Sequence, residues 1–209
     1  MGIGIAVWLG ASVLVEFGER IGFGRVSLSD SVKRAIGLPR AAWGRTLAHF
    51  GLAVTVAGVT GAGLWQVESI QIMRPGDKVE VSGYEFTFEG AENVRGPNYG
   101  AERGTFTVRD DGQVVAKLSG ERRRYFVSGD ETTEAGIHTT AMYDLYAVLG
   151  EPNGKGGWTT RLYYKPLVPW LWLGSIIMVL GGIVSLTDRR LRIGAPSRRS
   201  SRAAPAPAE

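Results

Sequence analysis

Three apolar runs, separated by polar stretches, constrain this chain more than any other feature of its sequence. They cover Gly2 to Val15, Thr46 to Val67 and Leu167 to Leu186. A membrane-spanning helix needs about 20 apolar residues, and the second and third runs meet that length. Trp170 and Trp172 stand where the third run begins, and tryptophan is enriched at membrane interfaces. The sequence therefore predicts a membrane protein.

The first apolar run is too short to cross a bilayer by itself. As a helix, residues 1–15 would rise about 22 Å, against a hydrocarbon core of about 30 Å. We therefore expect residues 1–15 to be a truncated transmembrane helix. A signal peptide is the alternative, but the run has no basic start and no small-residue cleavage site ahead of Glu16.

The distribution of charge predicts the orientation of the spans at 46–67 and 167–186. Residues 16–45 carry six basic and three acidic side chains, and residues 187–209 carry six arginines and two acidic side chains. Short basic segments stay in the cytoplasm. We expect a cytoplasmic loop at 16–45, a disordered basic cytoplasmic tail at 187–209, and residues 68–166 on the other side of the membrane, which is the periplasm if the host is a Gram-negative bacterium.

Composition also excludes several functional classes. The basic residues border apolar runs instead of forming an aromatic-interleaved patch, so no nucleic-acid partner is expected. The chain has no cysteine. Thiolate metal sites, covalent haem attachment through cysteines and disulfide bonds are therefore excluded.

The sequence pattern of the polar region from 68 to 166 predicts an all-β domain. Short runs of β-branched and aromatic residues alternate there with Gly, Asp and Asn. Hairpin turns are predicted at Ser82-Gly83 and at Asp110-Asp111-Gly112, because Asp-Gly tolerates the positive φ of tight turns. About seven strands in such a domain favour a small barrel or sandwich. The predicted strands are Val79 to Val81, Tyr84 to Phe88, Thr105 to Val108, Val114 to Leu118, Arg124 to Val127, Asp144 to Val148 and Trp158 to Tyr164.

His49 is the only ionisable residue in the second apolar run. An ionisable group inside a membrane is costly, so it usually faces a partner, a cavity or a cofactor. Ala53, Ala57 and Gly61 follow it at intervals of four residues and form a row of small side chains that allows a close approach. Two interpretations remain equal at this point: a groove for a flat ligand and a groove for packing another helix.

Two possible enzymatic motifs are weak. The run Gly150 to Gly156 contains Gly and Lys but lacks the spacing and the Ser or Thr of a phosphate-binding loop, so a flexible hairpin loop is predicted. His138, Asp144 and Ser128 contain the residue types of a hydrolytic triad, but no nucleophile-elbow motif accompanies them. A hydrolase is therefore the least favoured hypothesis.

Arg122, Arg123 and Arg124 form a local cationic cluster. Arginines suit carboxylates, including propionates, so they are candidate propionate or partner contacts. The alternative is a solvated edge strand kept soluble by its charge. Glu131 and Glu134 could be an acid pair, but carboxylates beside threonines more often cap a short helix.

A series of sequence blocks from Glu121 onward resembles the C-terminal part of the CcmF/NrfE family, the haem lyase subunits of bacterial cytochrome c maturation. With Arg45 to Gly61, the resemblance covers most of the chain. The blocks are Glu121 to Tyr125, Thr132 to Ala135, Asp144 to Glu151, Trp158, Arg161 to Pro166, Trp170 to Trp172, Gly181-Gly182 and Asp188 to Arg190.

The resemblance implies an inner-membrane protein that works with the haem chaperone CcmE, with CcmH and with apocytochrome c. It also implies a haem b held in the membrane by histidines from two helices. His49 matches one of these axial ligands, and the row of Ala53, Ala57 and Gly61 would then face the haem. The family's other membrane ligand, its Trp-rich periplasmic segment and two periplasmic histidines have no counterpart here, and His138 matches no family ligand.

The leading hypothesis is thus a C-terminal CcmF-like fragment or split subunit. It combines α-helical spans with an all-β periplasmic domain, and it supplies one haem b ligand within a haem lyase (holocytochrome c synthase) complex completed by the remainder of CcmF. We expect no activity from this chain alone. The alternative is a membrane-anchored periplasmic scaffold that binds partner proteins and no cofactor.

Overall fold

Four helices and nine strands make up the computed structural model, which describes residues 1–188. The helices are α1 (Gly2–Ile21), α2 (Leu28–Gly37), α3 (Arg40–Leu64) and α4 (Val168–Leu186). By length and composition, α1, α3 and α4 could each cross a membrane. The predicted disordered tail at 187–209 lies outside the described residues except for its first two positions.

Helix α1 is longer than the apolar run that predicted it. It has 20 residues, which gives a rise of about 30 Å. Beyond Val15 the helix continues through charged residues, where Arg20 and Glu16, one turn apart, form an ion pair of 2.7 Å that stabilises this last part of the helix. It ends at Gly22, whose φ of 71° is readily adopted only by glycine. The short apolar run therefore did not mean a short helix.

The segment predicted as a loop at 16–45 is largely helical. Besides the end of α1 it contains α2, whose start is capped by Ser27: its Oγ accepts a hydrogen bond of 3.1 Å from the amide of Asp30. Helix α3 begins at Arg40 rather than at Thr46, and its first turn has no side-chain cap of its own. The charge and lower hydrophobicity of residues 16–45 indicate that they lie outside the membrane, but neither property prevents them from forming helices.

The missing cap of α3 is supplied by the end of α4. The Asp188 carboxylate accepts a hydrogen bond of 3.0 Å from the amide of Ala41, 147 residues earlier in the chain. A carboxylate at this position also interacts favourably with the positive end of the helix dipole.

We expect Asp188→Ala to lower the free energy of unfolding by about 1 kcal/mol, the typical cost of losing a helix cap. Titration with SDS, followed by far-UV circular dichroism, measures this change. Asp188→Asn is the matched control, because its amide oxygen can still accept the bond from Ala41. Equal destabilisation by both variants would contradict the capping role.

The β-domain is a sandwich of two antiparallel sheets. A sandwich is one of the two architectures that the sequence predicts, the other being a small barrel. One sheet has the order β1-β9-β8-β7 and the other β2-β3-β4-β5-β6. The strands are β1 (Val67–Met73), β2 (Lys78–Val81), β3 (Tyr84–Arg95), β4 (Tyr99–Asp110), β5 (Gln113–Tyr125), β6 (Glu131–Glu134), β7 (Gly136–Thr139), β8 (Tyr143–Pro152) and β9 (Trp158–Pro166). Both predicted hairpin turns are confirmed, at Ser82-Gly83 and at Asp111-Gly112.

The core lies between the two sheets. Phe86, Phe88 and Phe106 from one sheet and Leu145 and Leu162 from the other are fully buried. Successive residues of a strand point to opposite faces, so these side chains mark the inner face of each sheet.

Two local predictions in this domain are wrong. The expected strand Arg124 to Val127 does not form, because β5 ends at Tyr125 and the chain turns back through Gly129, whose amide donates to the carbonyl of Tyr125. Glu131 and Glu134 cap no helix: they are the ends of β6. Strand β6 has only four residues, and three of them are exposed, so its sequence carries no alternating pattern that would distinguish it from a capping sequence.

The sandwich is inserted between α3 and α4. Strand β1 follows α3 almost directly, and β9 leads into α4. Beside this junction, the amide of Leu167 donates a 2.7 Å hydrogen bond to the carbonyl of Met142, just before β8. The first residues of β8 are therefore near the helices, and its last residues, about 30 Å further along the strand, are at the far end.

Candidate functional sites in the helices and the sandwich

Helices α3 and α4 pack backbone to backbone along a seam of glycines. A Cβ added to Gly51 would lie 2.6 Å from the carbonyl oxygen of Gly174, and one added to Gly44 would lie 2.5 Å from that of Gly181. Gly58 is equally close, 2.6 Å from the amide of Leu171. Sequence reasoning missed this seam, although a signal existed: the glycines recur every seven residues on both helices.

The row of small residues that follows His49 lies on other sides of α3. Ala53 is 5% exposed and faces α1, where a Cβ on Gly10 would be 3.8 Å from its methyl group. Gly61 is buried against the side chain of Leu167, and Ala57 is half-buried. In residues 1–188, therefore, Ala53 and Gly61 serve helix packing.

His49 is exposed on α3, and one of its ring nitrogens forms a hydrogen bond with the backbone. Its Nδ1 lies 2.9 Å from the carbonyl oxygen of Arg45, one turn earlier. A carbonyl oxygen only accepts hydrogen bonds, so Nδ1 carries the proton and the lone pair of the neutral ring is on Nε2. A histidine that binds a metal through one ring nitrogen is usually oriented in this way, by a hydrogen bond from its other ring nitrogen.

The apolar surface beside His49 consists of larger residues than the sequence suggested. Leu52 and Val59 follow it on the uncovered side of α3 and are 40% and 55% exposed. At the other end of this surface, Glu16 of α1 lies 3.4 Å from Arg45. The ring of His49 thus stands between an ion pair and an open apolar surface.

The three consecutive arginines lie on β5, and the structure rejects the edge-strand explanation for them. Strand β5 pairs with β4 on one side and, at the arginines, with β6 on the other. Arg122 lies 2.9 Å from Glu131 and 3.8 Å from both Glu102 and Glu151. The hydrogen bond to Glu131 raises the pKa of Arg122 above its usual value.

Arg123 belongs to a second, more buried network on the opposite face of the sheet. It donates to Glu121 at 2.8 Å, lies 3.7 Å from Glu134 and stacks on the ring of Tyr99 at 4.6 Å. Arg103 donates to the other oxygen of Glu121 at 2.7 Å. Burial by itself raises the pKa of the Glu121 carboxyl, but the hydrogen bonds from Arg123 and Arg103 outweigh it, and the pKa is lowered.

This network predicts a pH dependence of the sandwich. A carboxyl whose pKa is lower in the folded than in the unfolded protein adds stability above its ordinary pKa of 4.5 and loses it as the pH falls through the folded value. We expect the melting temperature to fall below about pH 4.5, and to fall less steeply in Glu121→Gln. Melting curves at several pH values measure this, and an unchanged slope in the variant would contradict it.

Arg124 is the arginine left available for another molecule. It is exposed and makes no ion pair with any residue between 1 and 188. It lines a surface groove of about 610 Å³ together with Phe126, which is 55% exposed and stacks on Arg95 at 5.3 Å. The contact between Arg122 and Glu151 places this groove at the end of the sandwich that is far from the helices. The cluster is therefore too distant to touch a ligand of His49.

The remaining candidates are not brought together. Ser128 accepts a bond from the amide of Asp130 between β5 and β6, whereas His138 pairs with Leu145 in the other sheet. Asp144 is next to Leu145, but no triad with Ser128 can form across the two sheets. The glycine-rich run Gly150 to Gly156 joins β8 to β9, as a hairpin loop should.

Comparison with known proteins agrees with this architecture. Residues 64–166 match the family model described as the CcmF C-terminal β-sandwich. The cytochrome c-type biogenesis protein CycK of Rhizobium meliloti is 40% identical over 94% of this chain and 29% of its own length. CcmF of Escherichia coli is 37% identical over 92% of this chain and 28% of its own length. The chain thus spans less than a third of these relatives.

A solved structure titled cytochrome c haem lyase CcmF has the same fold. Its TM-score is 0.67 at 19% identity, and the match covers 89% of this chain and 30% of the other. The resemblance seen in the sequence blocks is confirmed by the family model and by the curated relatives. The chain therefore belongs to the CcmF family of cytochrome c-type biogenesis proteins and carries the C-terminal β-sandwich of that family.

Proposed function

We propose that this chain acts as the C-terminal part of a CcmF-like haem lyase subunit and supplies one axial ligand of a membrane haem b through His49. The observation that supports this most is the state of the His49 ring. Its Nδ1 is fixed by the carbonyl of Arg45, and its Nε2 points away from the hydrogen bond on an exposed part of α3.

The described residues fit one axial position of a haem and no more. The chain contains two histidines, and His138 lies in the sandwich on β7. A second imidazole would come from the part of a CcmF-like protein that this chain does not span. When bound, the haem would supply redox chemistry. His49 would hold the iron through Nε2, Arg45 would fix the ring, and Leu52 and Val59 would cover the porphyrin edge and exclude water.

The remaining assignments form one consistent arrangement. We propose that α1, α3 and α4 cross the bacterial inner membrane with both basic flanks in the cytoplasm and with the sandwich, residues 68–166, in the periplasm. The sandwich would then meet the haem chaperone CcmE, CcmH and apocytochrome c. Its groove beside Arg124 offers a contact for a partner's carboxylate or a propionate of haem in transit.

The test is reconstitution with the missing part. We expect this chain, co-expressed with the N-terminal portion of CycK that it does not match, to copurify with a haem measured as its pyridine haemochrome. His49→Ala should lower the haem content at least about tenfold, because an axial iron–nitrogen bond is lost. His138→Ala is the matched control and should leave haem content unchanged.

Two other outcomes have clear meanings. Unchanged haem in His49→Ala would refute the ligand assignment. Copurification of both parts with no haem at all would favour a membrane-anchored scaffold that binds partners and no cofactor.

A further inference from the structure

The outer face of the sheet β1-β9-β8-β7 presents exposed apolar side chains. Ile70 and Ile72 on β1 are 54% and 56% exposed, and Ile137 on β7, at the other edge of the sheet, is 51% exposed. They alternate with residues that face the core, such as Met73, and so point away from it. Exposed apolar side chains at both edges of one sheet face are typical of a contact site for another protein or for a membrane.

The same face contains a buried carboxylate that is only half satisfied. Asp144, on β8, is 5% exposed. Its Oδ2 accepts a hydrogen bond of 3.3 Å from the hydroxyl of Tyr146, and its Oδ1 has no hydrogen-bond partner within residues 1–188. Leaving a buried carboxylate oxygen unpaired is costly, so a cationic donor from outside these residues would be strongly favoured there.

The nearest cation on the same face is engaged elsewhere. Lys165 is the cross-strand neighbour of Asp144. Its Nζ instead lies over the rings of Tyr146 and Tyr163, at 4.6 and 4.9 Å, and forms no ion pair with the described part of the chain. The other charged groups on this face are Arg161 and Glu68, both further along the sheet.

We propose that this face, with Asp144 as its polar anchor, binds a polypeptide segment that presents apolar side chains and one arginine or lysine. Its occupant is the remaining portion of the CcmF-like protein. Two observations support this occupant: the unpaired carboxylate oxygen favours a donor, most of all a charged one, and the curated relatives contain more than twice as much chain outside the matched region as within it. The inference rests on the proposed assembly with that portion, although not on haem binding.

Photo-crosslinking in the reconstituted complex tests the location. A photoreactive amino acid replaces Ile70 in one variant and Val114 in the other, and the CycK portion carries a tag. Val114 is the matched control, because it is also 54% exposed and lies on the other sheet. We expect at least about tenfold more crosslinked product from position 70 than from position 114. Equal yields, or crosslinks between two copies of this chain, would overturn the proposal.

Two substitutions test the anchor. Asp144→Asn should lower the crosslinking yield at position 70 about fivefold to tenfold, because a charge-assisted contact is lost, whereas Lys165→Met should leave the yield unchanged. Equal loss in both variants would show that Asp144 pairs with Lys165 and would refute the proposal. The crosslink without haem would preserve this inference and refute the proposed function. Haem bound through His49 without the crosslink would preserve the proposed function and refute this inference. Failure of the two parts to copurify would refute both proposals.

Discussion

Replacing Gly51 by leucine should separate α3 from α4 and lower the free energy of unfolding by about 3 kcal/mol or more. The first carbon of any side chain at this position would lie 2.6 Å from the carbonyl oxygen of Gly174 and 2.8 Å from the amide of Met178. Both are backbone atoms, which cannot rotate away as a side chain can. The helices must therefore move apart, which forfeits dispersion contacts along the whole seam.

Gly63→Leu is the matched control for this experiment. Gly63 is on the same helix, and a Cβ added there would meet nothing within 4 Å. Since leucine is a better helix former than glycine by somewhat less than about 1 kcal/mol, we expect this variant to be neutral or slightly stabilised. SDS titration followed by circular dichroism compares the two. Equal stability of both variants would show that the glycine seam does not hold the helices together.

Replacing Phe106 by alanine should destabilise the sandwich by about 3–5 kcal/mol. The ring is fully buried between the sheets, with its centroid 5.0 Å from that of Phe88. Its removal deletes a large apolar contact area and leaves a cavity that β-sheet neighbours, fixed by their hydrogen bonds, cannot fill. Thermal unfolding followed by circular dichroism at the strand signal measures the loss.

The chain offers a control with the same chemical change. Phe126 is 55% exposed in the connection after β5, where it stacks on Arg95. We expect Phe126→Ala to cost less than about 1 kcal/mol, the value of an exposed cation–π contact. A comparable loss of stability in both variants would mean that burial of the Phe106 ring is not what stabilises the core of the sandwich.

Much of the fold follows from local pattern. The three apolar runs predict three membrane helices, the first of them truncated, because a helix satisfies its own backbone groups in hydrocarbon. The Asp-Gly turn predicts the hairpin of β4 and β5 because its backbone accepts a positive φ. The extents were less accurate: α1 and α3 continue into charged residues, where an ion pair at Glu16 and a cap from Asp188 stabilise turns that hydrophobicity alone does not reveal.

The sites depended on contacts between distant parts of the chain. The row after His49 turns by about 40° at each step of four residues, so Ala53 already faces α1. Glycines seven residues apart stay nearly in line, and this is why Gly44 and Gly51 face α4 instead. Likewise the local sequence favours an edge strand for Arg122 and a helix cap for Glu131, whereas the pairing of β5 with β6 brings the two side chains 2.9 Å apart.

The sequence by itself determined the class of protein, the number of long apolar helices, the all-β nature of the inserted domain and its family. These properties depend on hydrophobic periodicity, turn chemistry and short blocks of residues that resemble a known family, all of which are local. Only the tertiary structure decided which face of α3 is covered, which ring nitrogen of His49 is left available, and which charged groups are paired. These three features depend on how helices and strands that are far apart in the chain pack together. Steric fit and hydrogen bonding between those elements determine the packing.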